Sequence, residues 1–369
     1  MCGDVVTVGP STTRVLQRLS ALERERTAFS AADMTGRDQV AEMMRDAGLS
    51  VTIDAGFNVI GTMAGVERRR PLVVGSHLDT VADPGRLDGA LGVLAAIECA
   101  ESMRSALPLR HPLTVVGFSD EEGSATGGCW GARAMTGTLT PGEKALLADP
   151  QSELAQTLTR AASELRTLGW DIDPLAVGRY EPVDPAGYLE LHIEQGPVLE
   201  RTGTPTGTVT SIVGINRYDV IVPGSSGHAG TVPMADRGND ALLRAGEIMR
   251  AYWAAVLSHG ARAVVNFGRC EVIPGSYNVI PGEVRLAVEI RSPEATILDQ
   301  LEGDLERISS GSGACVKTIG RDAPVELSEE IRGAVLEVAA ASGIPCRELP
   351  SWAGHDAAIF AGIVPSGMI

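Results

Sequence analysis

Aromatic residues make up only 4% of this 369-residue chain, so its cores must be built from aliphatic side chains and alanine. Basic residues are also in deficit, 31 against 47 acidic ones, leaving a formal charge of −16. Nucleic acid and anionic membrane surfaces would both repel such a surface. No apolar run approaches the roughly 20 residues that span a bilayer. The opening MCGDVVTVGPS has neither a basic start nor a secretory apolar core, so a cytoplasmic location is expected. Cysteine is sparse: Cys2, Cys99, Cys129, Cys270, Cys315 and Cys346 show no CxxC spacing. That excludes a zinc ribbon and argues against a disulfide framework; buried free thiols are expected instead. Only six histidines occur, yet His77, His192, His228 and His355 all fall in glycine- or acid-rich loop motifs. His111 and His259 sit at element ends and read as solvated.

What is present is organised around VVGSHLDTVADPGRLDGALGV, residues 73–93. An apolar strand stops at Gly75-Ser76, a polar turn carries His77 and Asp79, and Asp88 stands at the mouth of an apolar helix, residues 90–103. Imidazole and carboxylates beyond a buried strand suit a zinc, manganese or cobalt site, since strand ends in α/β sheets open onto crevices. The plainer alternative is a hydrogen-bonded His77–Asp79 pair closing a loop.

Helices are predicted over 12–24 and 36–47, the second with Thr35 and Asp38 as a capping box and Gly48 as its stop. Short strands follow at 50–53 and 58–63. The continuous apolar strand 113–118 (LTVVGF) suits a parallel sheet and delivers Ser119-Asp120-Glu121-Glu122-Gly123 at its end. A helix over 151–168, a Pro- and Asp-rich linker over 171–185 and a strand over 188–193, running into Glu194-Gln195-Gly196, complete an alternating α/β pattern. From about Gly207 the order becomes βαββαβ: strand 215–222, helix 239–257, strands 262–272 and 279–290, helix 294–308 and strand 314–319. That order is ferredoxin-like. A helix over 330–341 and the loop SWAGHDAAIFA then return to the first domain. The length suggests two domains. They are a discontinuous catalytic domain, 1–206 and 322–369, and an insertion, 207–321.

His77, Asp88, Glu122, His192 and His355 each stand at a strand end or helix start of one predicted sheet domain. Two ions about 3.5–4 Å apart can share one bridging carboxylate, and such a site needs around five side chains. The adjacent Glu121-Glu122 would divide metal binding and proton transfer; read alone, they are a solvated acidic turn.

GSHLDTV (75–81), GRLDGALGV (85–93), FSDEEGS (118–124), LHIEQGPVLE (191–200), GHAGTVPM (227–234), NVIPGEV (278–284), EIRS (289–292) and AGHDAA (353–358) appear in this order along most of the chain. Together they resemble the amidase/hydantoinase–carbamoylase family of dinuclear metallohydrolases. The resemblance implies an α/β fold whose mainly parallel-sheet catalytic domain carries an inserted α+β, ferredoxin-like dimerisation (lid) domain. It implies a homodimeric enzyme that removes the carbamoyl group from an N-carbamoyl-L-amino acid or related ureido acid. Allantoate or an N-acyl amino acid or dipeptide are the alternative substrates; an inactive dimeric binding protein is the alternative of another class. It further implies two divalent ions per subunit (Zn, Mn, Co or Ni) bridged by Asp88, with His77 and His192 completing one site and Glu122 and His355 the other. Asp79 would orient the His77 imidazole, Glu121 would be the general base, and His228 would stabilise the oxyanion from the partner subunit. Gln195, Asn278 and Arg291 match substrate-holding positions.

Arg291 also makes sense unaided. Val284, Leu286, Val288 and Ile290 alternate as a core face, so Arg291 projects from the other face, free to take a carboxylate or to pair with Glu289. Departures from the family pattern are Ala125-Thr126 in place of Arg-Phe, Trp352 in place of Gly, and Asp83-Pro84 in place of Asn-Gly. The ending at Ile369 is also early; it predicts lower stability and a looser metal site on the His355 side, and Trp352 predicts a narrowed substrate pocket.

Overall fold

The computed structural model describes residues 9–104, 109–177 and 182–369; Cys2, the opening segment and residues 178–181 of the predicted linker lie outside the described residues. The chain forms two compact units. One comprises the described residues of Met1–Thr210 with Leu327–Leu349 and Gly354–Ile369; the other is Ser211–Glu326 with Pro350–Ala353.

The first unit begins with helices α1 (Thr12–Ala21) and α2 (Ala31–Asp46). Strands β1 (Ser50–Ile53), β2 (Val59–Met63) and β3 (Leu72–His77) follow, then α3 (Ala90–Met103) and β4 (Leu113–Phe118). Helices α4 (Trp130–Thr136), α5 (Pro141–Ala148) and α6 (Glu153–Thr167) lead to β5 (Gly187–Glu190), α7 (Val198–Thr202) and β6 (Thr206–Ile212). The second unit holds β7 (Gly214–Pro223), β8 (Gly227–His228), α8 (Ala241–Leu257), β9 (Val264–Ile273), β10 (Val279–Ile280), β11 (Glu283–Ser292), α9 (Ala295–Gly311), β12 (Cys315–Asp322) and β13 (Val325–Glu326). The chain closes with α10 (Glu329–Ala341), β14 (Cys346–Ser351), α11 (Asp356–Ala361) and β15 (Ser366–Met368). Strands β13, β6 and β14 form a small sheet of their own.

The first unit's sheet has the order β1-β2-β4-β3-β5-β15. Its β4-β3-β5-β15 half is parallel, and β1 and β2 are antiparallel additions. Val115, Val116 and Phe118 on β4 are fully buried, as a strand covered on both faces requires. The second unit's sheet is antiparallel, with order β12-β7-β11-β9. Helices α8 and α9 cover one face, where Ile248, Tyr252, Leu301 and Leu305 meet Tyr218, Val220, Leu286 and Val288. The other face carries Arg217, Asp219, Glu289 and Arg291.

Several expectations need correcting. Helix α2 starts at Ala31, where Ser30 accepts the Asp33 N–H, so Thr35 and Asp38 form no cap. Gly36, which reads as a helix start, lies inside the helix because the Arg26 side chain packs where its Cβ would be. Strand β3 continues through Gly75-Ser76 to His77, each paired with β4. The predicted strand 279–290 breaks at Pro281-Gly282: β10 pairs with β8, while β11 joins the main sheet. The stretch after Glu122 contains α4 and α5, which its glycines, threonines and Pro141 obscure. The thiols are not buried cores: Cys99, Cys270 and Cys315 are exposed, the last two on edge strands.

Candidate metal centre

Parallel pairing brings the C-terminal ends of β3, β4 and β5 together, because His77 lies beside Phe118 and Leu72 beside Gly187. The loops that follow carry Asp79 and Asp88, Glu121 and Glu122, and His192; His355 immediately precedes α11. Gly89, at φ +60°, must be glycine, since a Cβ there would lie 2.4 Å from the His77 ring.

The two imidazoles explain the site. His77 Nδ1 is 2.9 Å from the Asp79 main-chain carbonyl and His192 Nδ1 is 2.9 Å from that of Ile193. A carbonyl only accepts, so each ring carries its proton on Nδ1 and turns an Nε2 lone pair inward. Those two Nε2 atoms are 3.3 Å apart, and Asp88 Oδ1 is 3.2 Å from that of His192. Two lone pairs and a carboxylate converging on one point repel each other until a cation lies among them. The His192 and Asp88 side chains are only 2% and 12% exposed, so water screens little of that repulsion. Among the described residues, donor atoms within 4.8 Å of one another form two sets, His77–Asp88–His192 and His77–Glu121–Glu122. His355 is buried against His192, ring centroids 4.5 Å apart, and belongs to neither set. The donor chemistry fits divalent transition ions, for which imidazole and carboxylate are ordinary ligands.

Electrostatics point the same way. Burial, reinforced by His192, pulls His77 down to about 4. Burial and both neighbouring imidazoles hold His355 well below the usual histidine range. Burial, then Asp88, pushes Glu122 up to about 7. Burial and Asp356 push Glu121 well above the carboxylate range. Burial works against a charged His192, but a proton taken up on Nε2 would bond to Asp88 and relieve their repulsion, and this prevails and raises it. Raised Glu121 and Glu122 with lowered His77 and His355 describe a cluster short of positive charge, while His192 and Asp88 favour each other's charged forms.

Asp79 differs from the expected role. The bond that orients His77 comes from its main-chain oxygen, while its buried carboxylate accepts the N–H groups of Glu121 and Glu122, each at 3.2 Å. One residue thus fixes both the imidazole and the paired glutamates. Gln195, at φ 57°, donates from Nε2 to both Asp88 carboxylate oxygens at 3.2 Å. Asp120 receives Thr126 N–H at 2.8 Å and Ala125 N–H at 3.3 Å, and Thr126 Oγ1 accepts the Gly128 N–H at 3.3 Å, so at these two departing positions main-chain groups and one hydroxyl hold the loop.

Sequence reading missed Glu190. Fully buried, it accepts from Ser76 Oγ (2.8 Å), Tyr188 OH (3.2 Å) and Ala357 N–H (3.0 Å), joining β3 and β5 to the helix behind His355. The available signal was an acid inside an otherwise apolar strand, two residues before His192.

Within the second unit, His228 on β8 pairs with Val279 on β10, and Ala229 N–H donates to the Asn278 carbonyl at 3.0 Å, so the ladder brings His228 and Asn278 together. His228 Nδ1 accepts the Gly230 N–H at 3.0 Å, which leaves Nε2 to carry the proton. Arg291 lies on the open face, paired with Glu289 at 2.7 Å and donating to the Trp352 carbonyl at 2.6 Å.

A buried cluster of acids and imidazoles at the strand ends of an α/β unit suits a metal-dependent hydrolase. The chain belongs to Peptidase family M20/M25/M40, which it matches over residues 73–369, and within it to the hydantoinase/carbamoylase amidases. It is 37% identical over 354 residues to the N-carbamoyl-L-amino acid amidohydrolase of Geobacillus stearothermophilus, covering 93% of this chain and 84% of that one. It is 33% identical over 383 residues to allantoate deiminase 1 of Glycine max, covering 94% and 78%. The crystal structure of a hydantoinase/carbamoylase family amidase from Burkholderia ambifaria superposes with a TM-score of 0.82 at 30% identity, covering 99% of this chain and 90% of that one.

Proposed function

We propose that this protein is a metal-dependent amidohydrolase that cleaves the carbamoyl C–N bond of an N-carbamoyl-L-amino acid or a closely related ureido acid such as allantoate. The observation that carries the reading is the convergence of two imidazole lone pairs and Asp88 beside a buried Glu121. His77, Asp88, Glu122, His192 and His355 would hold two divalent ions (Zn, Mn, Co or Ni), with Asp88 shared. Such ions supply Lewis acidity toward the ureido carbonyl and lower the pKa of the attacking water. Glu121 would take the water's proton and pass it to the leaving nitrogen, the task of a carboxylate held high by its surroundings. His228, protonated on Nε2, would donate to the developing oxyanion. Arg291 would grip the α-carboxylate, and Gln195 and Asn278 would complete the substrate's surroundings. Hydrolysis would release the amino acid and carbamate, which breaks down to ammonia and carbon dioxide.

We further propose a cytoplasmic homodimer in which the insertion (207–321) is the dimerisation domain and His228 serves the partner's site. Leu243, Trp253 and Leu257 on α8 and Val264 on edge strand β9 are exposed apolar residues suited to burial by a second copy. The test is metal-stripped protein reconstituted with each ion and assayed on N-carbamoyl-L-amino acids, allantoate, N-acyl amino acids and dipeptides. Turnover confined to the last two classes would overturn the ureido reading. Mixing His228→Ala chains with Glu121→Ala chains should restore part of the activity; no recovery in verified heterodimers would remove the shared site.

A further inference from the structure

The open face of the second unit's sheet carries a row of charges that ends at Arg291. Asp322 on β12 accepts from Arg217 Nη1 at 3.0 Å. Arg217, directly opposite Glu289 across β7 and β11, donates from Nε to Glu289 Oε2 at 3.0 Å. The other Glu289 oxygen, Oε1, accepts from Arg291 Nε at 2.8 Å and lies 2.7 Å from Nη2 as an ion-pair contact. Arg291 Nη1 then donates to the Trp352 main-chain carbonyl at 2.6 Å. The order is acid, base, acid, base across three strands.

A guanidinium has five N–H groups in a fixed plane. Two of those on Arg291 are committed to hydrogen bonds, and the pattern of commitment matters. Glu289 sits on the Nε/Nη2 side of the fork, leaving an N–H on Nη1 and one on Nη2 for another acceptor. Those two are what a second carboxylate needs for a bidentate grip. An arginine held only by solvent would order its long side chain upon binding; this one is already ordered. Glu289 alone would cancel much of the attraction that Arg291 offers an anion. Arg217 on its other oxygen counters that effect, and Asp322, 65% exposed, is too well screened to undo it.

We propose that Glu289 is a positioning residue, which presents the unoccupied fork of Arg291 to the substrate's carboxylate and so sets selectivity for acidic ureido substrates. The proposal rests on the reading of Arg291 given above. It concerns a residue whose pairing with Arg291 would otherwise count as an ordinary surface salt bridge.

The test uses full-length, metal-loaded protein with an N-carbamoyl-L-amino acid and its α-carboxamide. Glu289→Ala should raise KM for the acid roughly tenfold, by the ordering cost returned to binding. It should leave kcat within about twofold and the carboxamide's KM unchanged. Glu289→Gln keeps an acceptor oxygen and should fall between; it also decides the matter if the alanine variant does not fold. Equal losses on both substrates, or an unchanged acid preference in a folded variant, would overturn the role of Glu289 alone. Wild-type protein that does not distinguish acid from carboxamide would remove the Arg291 reading and this proposal with it.

Discussion

The two units treat charge in opposite ways. Every fully buried charged side chain among the described residues lies in the first unit: Arg26, Asp33, Arg37, Asp79, Glu98, Asp120, Glu190 and Asp356 are all at most 4% exposed. The second unit buries only Ser211, Asn216, Ser292 and Ser309 among its polar residues, and keeps its ion pairs at the surface, several of them on an open sheet face. Burying an ion costs several kcal/mol even after relaxation. Arg37 reaches the Phe57 carbonyl at 2.7 Å and pairs with Asp33 at 3.0 Å; Arg26 reaches the Leu78 carbonyl at 3.0 Å, next to Asp79. Buried cations thus stand behind the loops that carry the acids, and partly offset their mutual repulsion.

The sharpest way to break the contrast is at its centre. Asp88→Ala removes a carboxylate from the point where both imidazoles converge, so metal content and activity should both be lost, the latter by more than about a thousandfold given the weight of a shared ligand. Glu121→Gln should keep the metal and lose turnover. Metal analysis and single-turnover assays check both; a metal-free Glu121→Gln would exchange the roles of the two glutamates.

Next in size is Arg37→Met, which leaves Asp33 buried without its partner and should cost about 3–5 kcal/mol in denaturant unfolding near neutral pH. Burial already raises Asp33 to about 6, despite Arg37. A carboxylate raised on folding contributes stability that is present below its unfolded pKa and lost as pH rises through the folded value. Removing Arg37 raises Asp33 further, so the penalty should be largest above pH 7 and shrink as pH falls through about 6 towards 4. A penalty that does not change with pH would mean that Arg37 acts only through the carbonyls it touches.

A smaller effect probes the loop. Asp79→Asn replaces one acceptor oxygen with an amide that faces the Glu121 and Glu122 N–H groups. A misplacement of about 1 Å in such a pair can cost roughly a hundredfold. We expect a ten- to hundredfold loss in kcat with His77 still bound to the main-chain oxygen of residue 79, so metal content should fall far less than in Asp88→Ala. Equal metal loss in both variants would put the Asp79 carboxylate in the centre itself.

How much of this was legible in sequence differs between the units for the same reason. The second unit's central strands β7 and β11 alternate cleanly, so Val284, Leu286, Val288 and Ile290 mark the core face and Arg291 the open one. Buried strands such as LTVVGF announced the parallel sheet, and polar residues just beyond them announced the centre. What periodicity cannot carry is which atom of a residue makes the contact. Asp79 orients His77 through its main chain, and the Ala125 and Thr126 N–H groups both reach the Asp120 carboxylate. Nor can it carry bonds between distant positions, such as Ala357 N–H to Glu190. Gly36 looks like a helix boundary when read locally, but in three dimensions it is a packing site for Arg26 inside α2.

The smallest expected effect tests the second unit's side of the comparison. Arg269 on β9 and Asp219 on β7 approach to 3.2 Å, a distance as short as that between His192 and Asp88. Their side chains are 60% and 34% exposed, so water has already reduced the attraction, and two long side chains must be ordered to form the pair. Distance alone would rank the pairs together; burial separates them. A double-mutant cycle of Arg269→Ala and Asp219→Ala should give a coupling of about 0.2–1 kcal/mol that diminishes between 0.05 and 0.5 M salt, taking these as order-of-magnitude conditions for screening. Neither variant should alter kcat or metal content, because this pair lies outside the row that ends at Arg291. A coupling of several kcal/mol that ignores salt would mean that the open face is dry in solution, covered by something that excludes water. The division between a buried-charge unit and a surface-charge unit would then have to be abandoned.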